Sequence, residues 1–144
     1  MKVVYYITST LEKLVIVKNK ERRIALKFTV NDREPVYIQI IRNVKQKIVT
    51  GELQKGDRMP SRREMAVSIN VNPNTVQKAY KEMEEMGIIN TIKNNQSTIT
   101  EDDNLINQIR KDLINEATDV FLEQMKAINV PIDEVKEIIS KKYI

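Results

Sequence analysis

Between Asn72 and Lys78 the sequence NPNTVQK places two asparagines, a threonine, a glutamine and a lysine where a helical segment begins. Amide and hydroxyl side chains hydrogen-bond base edges, and lysine adds a point charge for phosphate. Shortly upstream, Ser61, Arg62 and Arg63 open another helical segment with a hydroxyl and two guanidinium groups. A third cluster, Lys93-Asn94-Asn95-Gln96, adds an ammonium and three amides. This chemistry grips a polyanion and reads polar edges. It breaks no bond, because no general base stands beside any of these groups.

The elements that must position these residues are legible around them. Ser61 with Glu64 fits a capping box, in which serine caps the first turn and glutamate reaches back to the serine amide. Met65, Ala66 and Ile69 follow at helical spacing, and a turn falls at Asn70-Val71, where asparagine tolerates a left-handed backbone. Asn72 suits an N-cap and Pro73 the first helical position, whose amide would be unpaired in any case. Val76, Ala79, Tyr80 and Met83 form the apolar stripe of this second helix, and Gly87 is placed to end it. Asn72, Asn74, Thr75, Gln77 and Lys78 are left outward, the set a recognition helix offers to a major groove.

Before this pair, Val36 to Thr50 reads as a helix with Pro35 at its start, Gly51 after its end, and Tyr37, Ile40, Ile41, Val44 and Ile48 on one face. GELQKGDRMP then reads as a loop. After Gly87, residues 88–92 and 97–100 are β-branched and partly alternating, with residues 93–96 as a hairpin tip. Helix, helix, recognition helix and hairpin in that order describe a winged helix-turn-helix. The expected fold class is therefore mainly α with a small β wing.

The end of the chain differs in kind. Leu105, Ile106, Ile109, Leu113, Ala117, Val120, Phe121 and Met125 share one broad side of a long helix over residues 102–128, with Asp102 and Asp103 favouring its start. Asn129 and Pro131 punctuate it, and Val135, Ile138 and Ile139 mark a shorter helix ending near Tyr143. Two amphipathic helices cannot bury both apolar faces alone, so a homodimer is the economical expectation. The division is a DNA-binding domain over residues 28–100 and a helical dimerisation tail over residues 101–144.

Composition narrows the function further. The chain of 144 residues has no cysteine and no histidine, which removes disulfides, thiolate metal sites and the usual general base. With three glycines in all, no phosphate-cradling loop can be assembled. An enzyme is not expected, and neither is a cofactor or a metal. No apolar run approaches the ~20 residues of a membrane span, so the expected setting is cytoplasmic. Charge is divided: residues 35–100 carry ten basic and six acidic side chains, whereas residues 101–144 carry six basic and ten acidic. A basic head that meets a polyanion and an acidic tail kept off it fit that asymmetry.

Residues 1–27 stand apart, with seven basic and two acidic side chains and two short apolar patches, VVYYI and LVIV. Two readings remain open. One is a genuine N-terminal extension. In the other, Glu21-Arg22-Arg23 reflects a purine-rich ribosome-binding sequence and Leu26 a TTG start codon, so that residues 1–25 are not natively translated.

From about Glu34 to Thr100 the chain resembles the DNA-binding domain of GntR-type bacterial transcription regulators. The strings PVYIQI, GELQKGDRMPSRREMA and VNPNTVQKAYKEMEEMGII carry the likeness. The short two-helix tail further resembles the YtrA subfamily. The resemblance implies a dimeric repressor on an inverted-repeat operator, often governing an ABC transporter operon. It implies DNA contacts from Arg63 and from Asn72, Asn74, Thr75 and Gln77. With the neighbouring groups, the expected DNA-binding set is Ser61, Arg62, Arg63, Asn72, Asn74, Thr75, Gln77, Lys78, Lys93 and Asn95. Pro73 and Gln77 stand where many members carry arginine, and KNNQST replaces an arginine-rich turn with two glycines. The expected partners are double-stranded DNA and a second copy of the chain. Any small-molecule effector is left open.

Plainer readings accompany several residues. Arg62 and Arg63 would serve equally as solvated charges opening a helix, and Asn72 as a cap. Lys81, close to Glu82, Glu84 and Glu85, reads as an ordinary surface lysine. Tyr80 reads as core, and the methionines as core filler. Two other functions use the same scaffold: a protein-interaction module and an RNA binder, the latter disfavoured by the lack of aromatics suited to stacking.

Overall fold

The computed structural model describes residues 26–93 and 96–143. The N-terminal stretch read above as an extension or as untranslated sequence therefore lies outside the described residues, apart from Leu26 and Lys27, and so does Asn95 at the hairpin tip. In order the elements are α1 (Val36–Val49), α2 (Arg62–Ser68), α3 (Pro73–Glu85), β1 (Ile89–Ile92), β2 (Gln96–Ile99), α4 (Asp103–Ala127) and α5 (Ile132–Lys142). This is the expected mainly helical fold with a two-stranded wing. The chain divides into two compact units, one running to Asn107 and the other from Gln108.

The first unit is a three-helix head. Ile40, Val44 and Ile48 of α1 meet Val76, Ala79, Tyr80 and Met83 of α3, with Met65, Ala66 and Ile69 closing the third side, all buried. These are the residues whose 3.6-residue spacing marked the apolar faces. Helix α1 begins at Pro35 without a side-chain cap. Its entry is fixed instead by buried Gln39, whose Nε2 donates to the carbonyls of Asn31 at 2.7 Å and Glu34 at 2.8 Å, while its Oε1 accepts from the Asn31 amide at 2.9 Å. Leu26 is buried as well, and its carbonyl accepts from the Ser68 hydroxyl at 3.1 Å.

The segment read as a loop before α2 does more than connect. Leu53 and Met59 are buried, and the loop runs antiparallel beside β2: the Met59 amide donates to the Ser97 carbonyl at 2.8 Å and the Ile99 amide to the Asp57 carbonyl at 2.9 Å. Buried Asp57 accepts the Gln54 amide at 2.7 Å, closing the turn at its own foot. Strands β1 and β2 pair antiparallel in the register Ile89 with Ile99, Asn90 with Thr98, Thr91 with Ser97 and Ile92 with Gln96. Gln96, placed in the tip by sequence, is a strand residue. The hairpin's base, Ile89 and Ile99, is in the core, whereas Ile92 near its tip is exposed.

The first turn of α4 still belongs to the head. Asp102 accepts the amide of Asn104 at 2.9 Å, Asp103 pairs with Lys55, and Leu105 lies 3.5 Å from where a side chain on Gly87 would begin. In the second unit Ile109 and Val135 are buried, while Ile114, Val120, Ile128, Ile138 and Ile139 are exposed. Phe121, Leu122 and Met125 of α4 are half-buried, so the apolar sides of the two helices are only partly covered.

Candidate nucleic-acid interface

Two capped helix starts and a hairpin tip carry the candidate residues. At the first, the Ser61 hydroxyl accepts the Glu64 amide at 3.1 Å and the Glu64 carboxylate accepts the Ser61 amide at 2.8 Å, the reciprocal box that the sequence predicts. Ser61 is exposed and keeps its hydroxyl proton free to donate. Arg63, next along, is exposed and makes no ion pair among the described residues.

A turn joins this helix to the next. Asn70 adopts φ +53°, the left-handed conformation that a short polar side chain tolerates, and the Val71 amide donates to the Ala66 carbonyl at 3.0 Å. At the second start, the Asn72 side chain accepts the Asn74 amide at 2.8 Å and Pro73 takes the first helical position. The Asn72 side-chain oxygen is thus committed to capping. Asn74 and Gln77 are exposed, Thr75 is half-buried, and none of the three has a side-chain partner among the described residues. Buried Val76, Ala79, Tyr80 and Met83 fix which way that polar face points. Gly87, at φ +73°, ends the helix where the sequence placed its stop.

Two of the predicted residues are held by the protein itself. Lys78 lies with its Nζ 3.7 Å from the centre of the Tyr37 ring on α1, a cation–π contact that holds the ammonium near the start of the recognition helix. Arg62 does not join the exposed set. Its guanidinium sits 5.0 Å from the Tyr80 ring centre, Nη2 donates to Glu84 Oε1 at 2.9 Å, and Nε is buried without a partner among the described residues. Tyr80 in turn donates to the Pro60 carbonyl at 2.6 Å, and burial pushes its hydroxyl well above the ordinary value. On the wing, Lys93 is exposed and unpaired among the described residues. Lys81 pairs with Glu85 at 3.8 Å on the helix surface, as its acidic neighbours suggest.

Sequence reasoning missed Tyr37, Glu84 and Thr91. In the sequence Tyr37 reads as part of an apolar face. Glu84 meets Arg62 across 22 positions, a separation that no local spacing rule detects.

A short helix, a turn and a second helix with a polar leading face, backed by a third helix and flanked by a hairpin, define the winged helix-turn-helix class of DNA-binding regulators. The chain belongs to the GntR family: residues 36–99 match the family described as bacterial regulatory proteins, gntR family. It is 36% identical over 104 residues to the HTH-type transcriptional regulator YhcF of Bacillus subtilis (strain 168), covering 72% of this chain and 86% of that one. To the HTH-type transcriptional repressor YtrA of the same organism it is 48% identical over 67 residues, 46% of this chain and 52% of YtrA. The structure of a GntR family transcriptional regulator from Listeria monocytogenes superposes with a TM-score of 0.72 at 34% identity, over 78% of this chain and 98% of that one. The protein is a GntR-family DNA-binding transcription regulator similar to YtrA and YhcF, both named as transcriptional regulators.

Proposed function

We propose that this regulator is a homodimeric repressor that binds an inverted-repeat operator, with the α3 N-terminus of each copy in a major groove and the tails as the dimer contact. The observation that carries the reading is the idle polar face of α3. Asn74 and Gln77 are exposed and unpartnered among the described residues, while the opposite side of the same helix is wholly buried. Exposed side chains with no structural duty, fixed in direction by a rigid core, are what base-edge recognition needs. Arg63 and Lys93 supply phosphate-seeking charge from two other elements, which positions the helix without reading sequence. Exposed Ile114, Val120, Ile138 and Ile139 supply apolar surface for a second copy. Similarity to a protein named as a transcriptional repressor favours repression, and a transporter operon as the regulated unit is what the subfamily resemblance of the two-helix tail implies.

Fluorescence anisotropy with a palindromic duplex from the gene's own promoter tests this directly. Binding should fall steeply with salt, saturate at two chains per duplex, and exceed random-duplex affinity by ~10³ or more. Equal affinity for both duplexes would reduce the protein to a non-specific binder. Deletion of the gene should raise transcription of the operon that contains it, and unchanged transcript levels would end the repressor reading.

A further inference from the structure

Beyond buried Ile89, the β1 strand of the wing is exposed. The wing's base is secured by buried Ile89 and Ile99, and β2 is hydrogen-bonded along the loop that carries Asp57 and Met59. Thr91, on β1 beyond that base, donates its hydroxyl to Glu84 Oε1 near the end of α3. The same oxygen accepts Arg62 Nη2, whose guanidinium rests over Tyr80. Across the strand pair, Thr91 Oγ1 lies 3.0 Å from Ser97 Oγ, and Ser97 is buried. A hydroxyl has one proton to give. With that of Thr91 on Glu84, Ser97 must donate to Thr91, so the bonds run in one direction to a carboxylate that an arginine neutralises. Charge-assisted and mutually polarised, such a chain holds its members more firmly than isolated neutral bonds do.

We propose that Ser97–Thr91–Glu84–Arg62 is a brace that fixes the wing against the recognition helix, so that Glu84 and Thr91 set where the hairpin tip meets DNA without touching it. Glu84 and Thr91 are positioning residues here. Arg62 takes part through Glu84, which accounts for its place away from the exposed set. An acid on the recognition helix of a DNA-binding head would otherwise repel phosphate. Paired with Arg62, its charge is offset and its oxygen serves the wing. The proposal rests on the wing contacting DNA through Lys93, as in the functional reading above.

The test uses the full chain and two independent measurements. The first is amide hydrogen exchange without DNA. Thr91→Val should speed exchange in β1 and β2 roughly tenfold and leave α1 unchanged, and Thr91→Ser, which keeps the hydroxyl, should restore it. Glu84→Ala should act as Thr91→Val does. The second is a double-mutant cycle on operator DNA: Lys93→Ala should weaken binding roughly fivefold in the intact chain but less than about twofold in the Thr91→Val background. Unaltered wing exchange in both Thr91→Val and Glu84→Ala would overturn the brace. An equal Lys93→Ala loss in both backgrounds would overturn its role in DNA contact. Failure of the intact chain to bind any duplex would sink the functional reading instead, and the exchange measurement then decides the brace by itself.

Discussion

Asn72 and Asn74 stand two positions apart and have different jobs. The first spends its side-chain oxygen on the Asn74 amide, which is capping. The second keeps both amide groups for whatever meets the helix. Asn72→Ala should therefore lower stability by about 1 kcal/mol in urea unfolding, the usual cost of a lost cap, with little change in which DNA is preferred. Asn74→Ala or Gln77→Ala should instead cost ~1–3 kcal/mol of binding at the cognate operator and relax preference at one base pair, without a stability change. Lys93→Ala should weaken cognate and random duplexes alike and reduce the salt slope by about one unit, the mark of a phosphate contact. Equal losses on both duplexes for Asn74 would move that residue into the phosphate group.

The helices were legible in the sequence because their signals are local. Ser61 with Glu64, Asn70, Asn72-Pro73 and Gly87 each occupy the position that their own backbone chemistry favours, and the apolar stripes between them are buried as their spacing requires. What escaped were contacts made by residues distant in sequence. The segment before α2 reads as a loop because its residues lack strand periodicity, yet tertiary pairing to β2 lays it along the sheet. Arg62 reads as a free cation because the acid next to it in sequence, Glu64, is taken up by the capping box with Ser61; its partner lies near the far end of α3. Tyr80, read as core, also holds α3 to the start of α2 through the Pro60 carbonyl. Burial raises its hydroxyl above the ordinary value of 10.0. A raised folded value means the stabilisation is complete below pH ~10 and is lost as pH climbs from there toward the folded value. Urea midpoints should hold between pH 7 and about 9 and fall above about 10, and Tyr80→Phe should flatten that decline. At neutral pH the same substitution should cost about 1 kcal/mol, because the Pro60 carbonyl loses its donor.

At the scale of the whole molecule, charge and apolar surface are segregated along the chain. From residue 35 onward the basic excess lies in residues 35–100, and the acidic excess lies in residues 101–144, where apolar side chains are also left open to solvent. A single head offers one recognition helix, and one helix in one groove gives a small contact. Two heads on half-sites about one DNA turn, ~34 Å, apart engage together only if something joins them. Joining two weak modules raises apparent affinity by roughly 10²–10⁴ with no new DNA contact. The boundary at Asn107 tells where to cut: Asp102, Asp103 and Leu105 serve the head, so removal of 102–107 would damage it, whereas residues from Gln108 onward form the other unit. A chain ending at Asn107 should remain folded by circular dichroism, run as a monomer in light scattering, and bind the operator at least ~100-fold more weakly than the full chain. Its preference among single half-sites should survive, because Asn74 and Gln77 remain. Fusing it to an unrelated dimeric coiled coil should restore much of the lost affinity. A head that binds as tightly alone as with its tail would show that the tail does not provide the coupling.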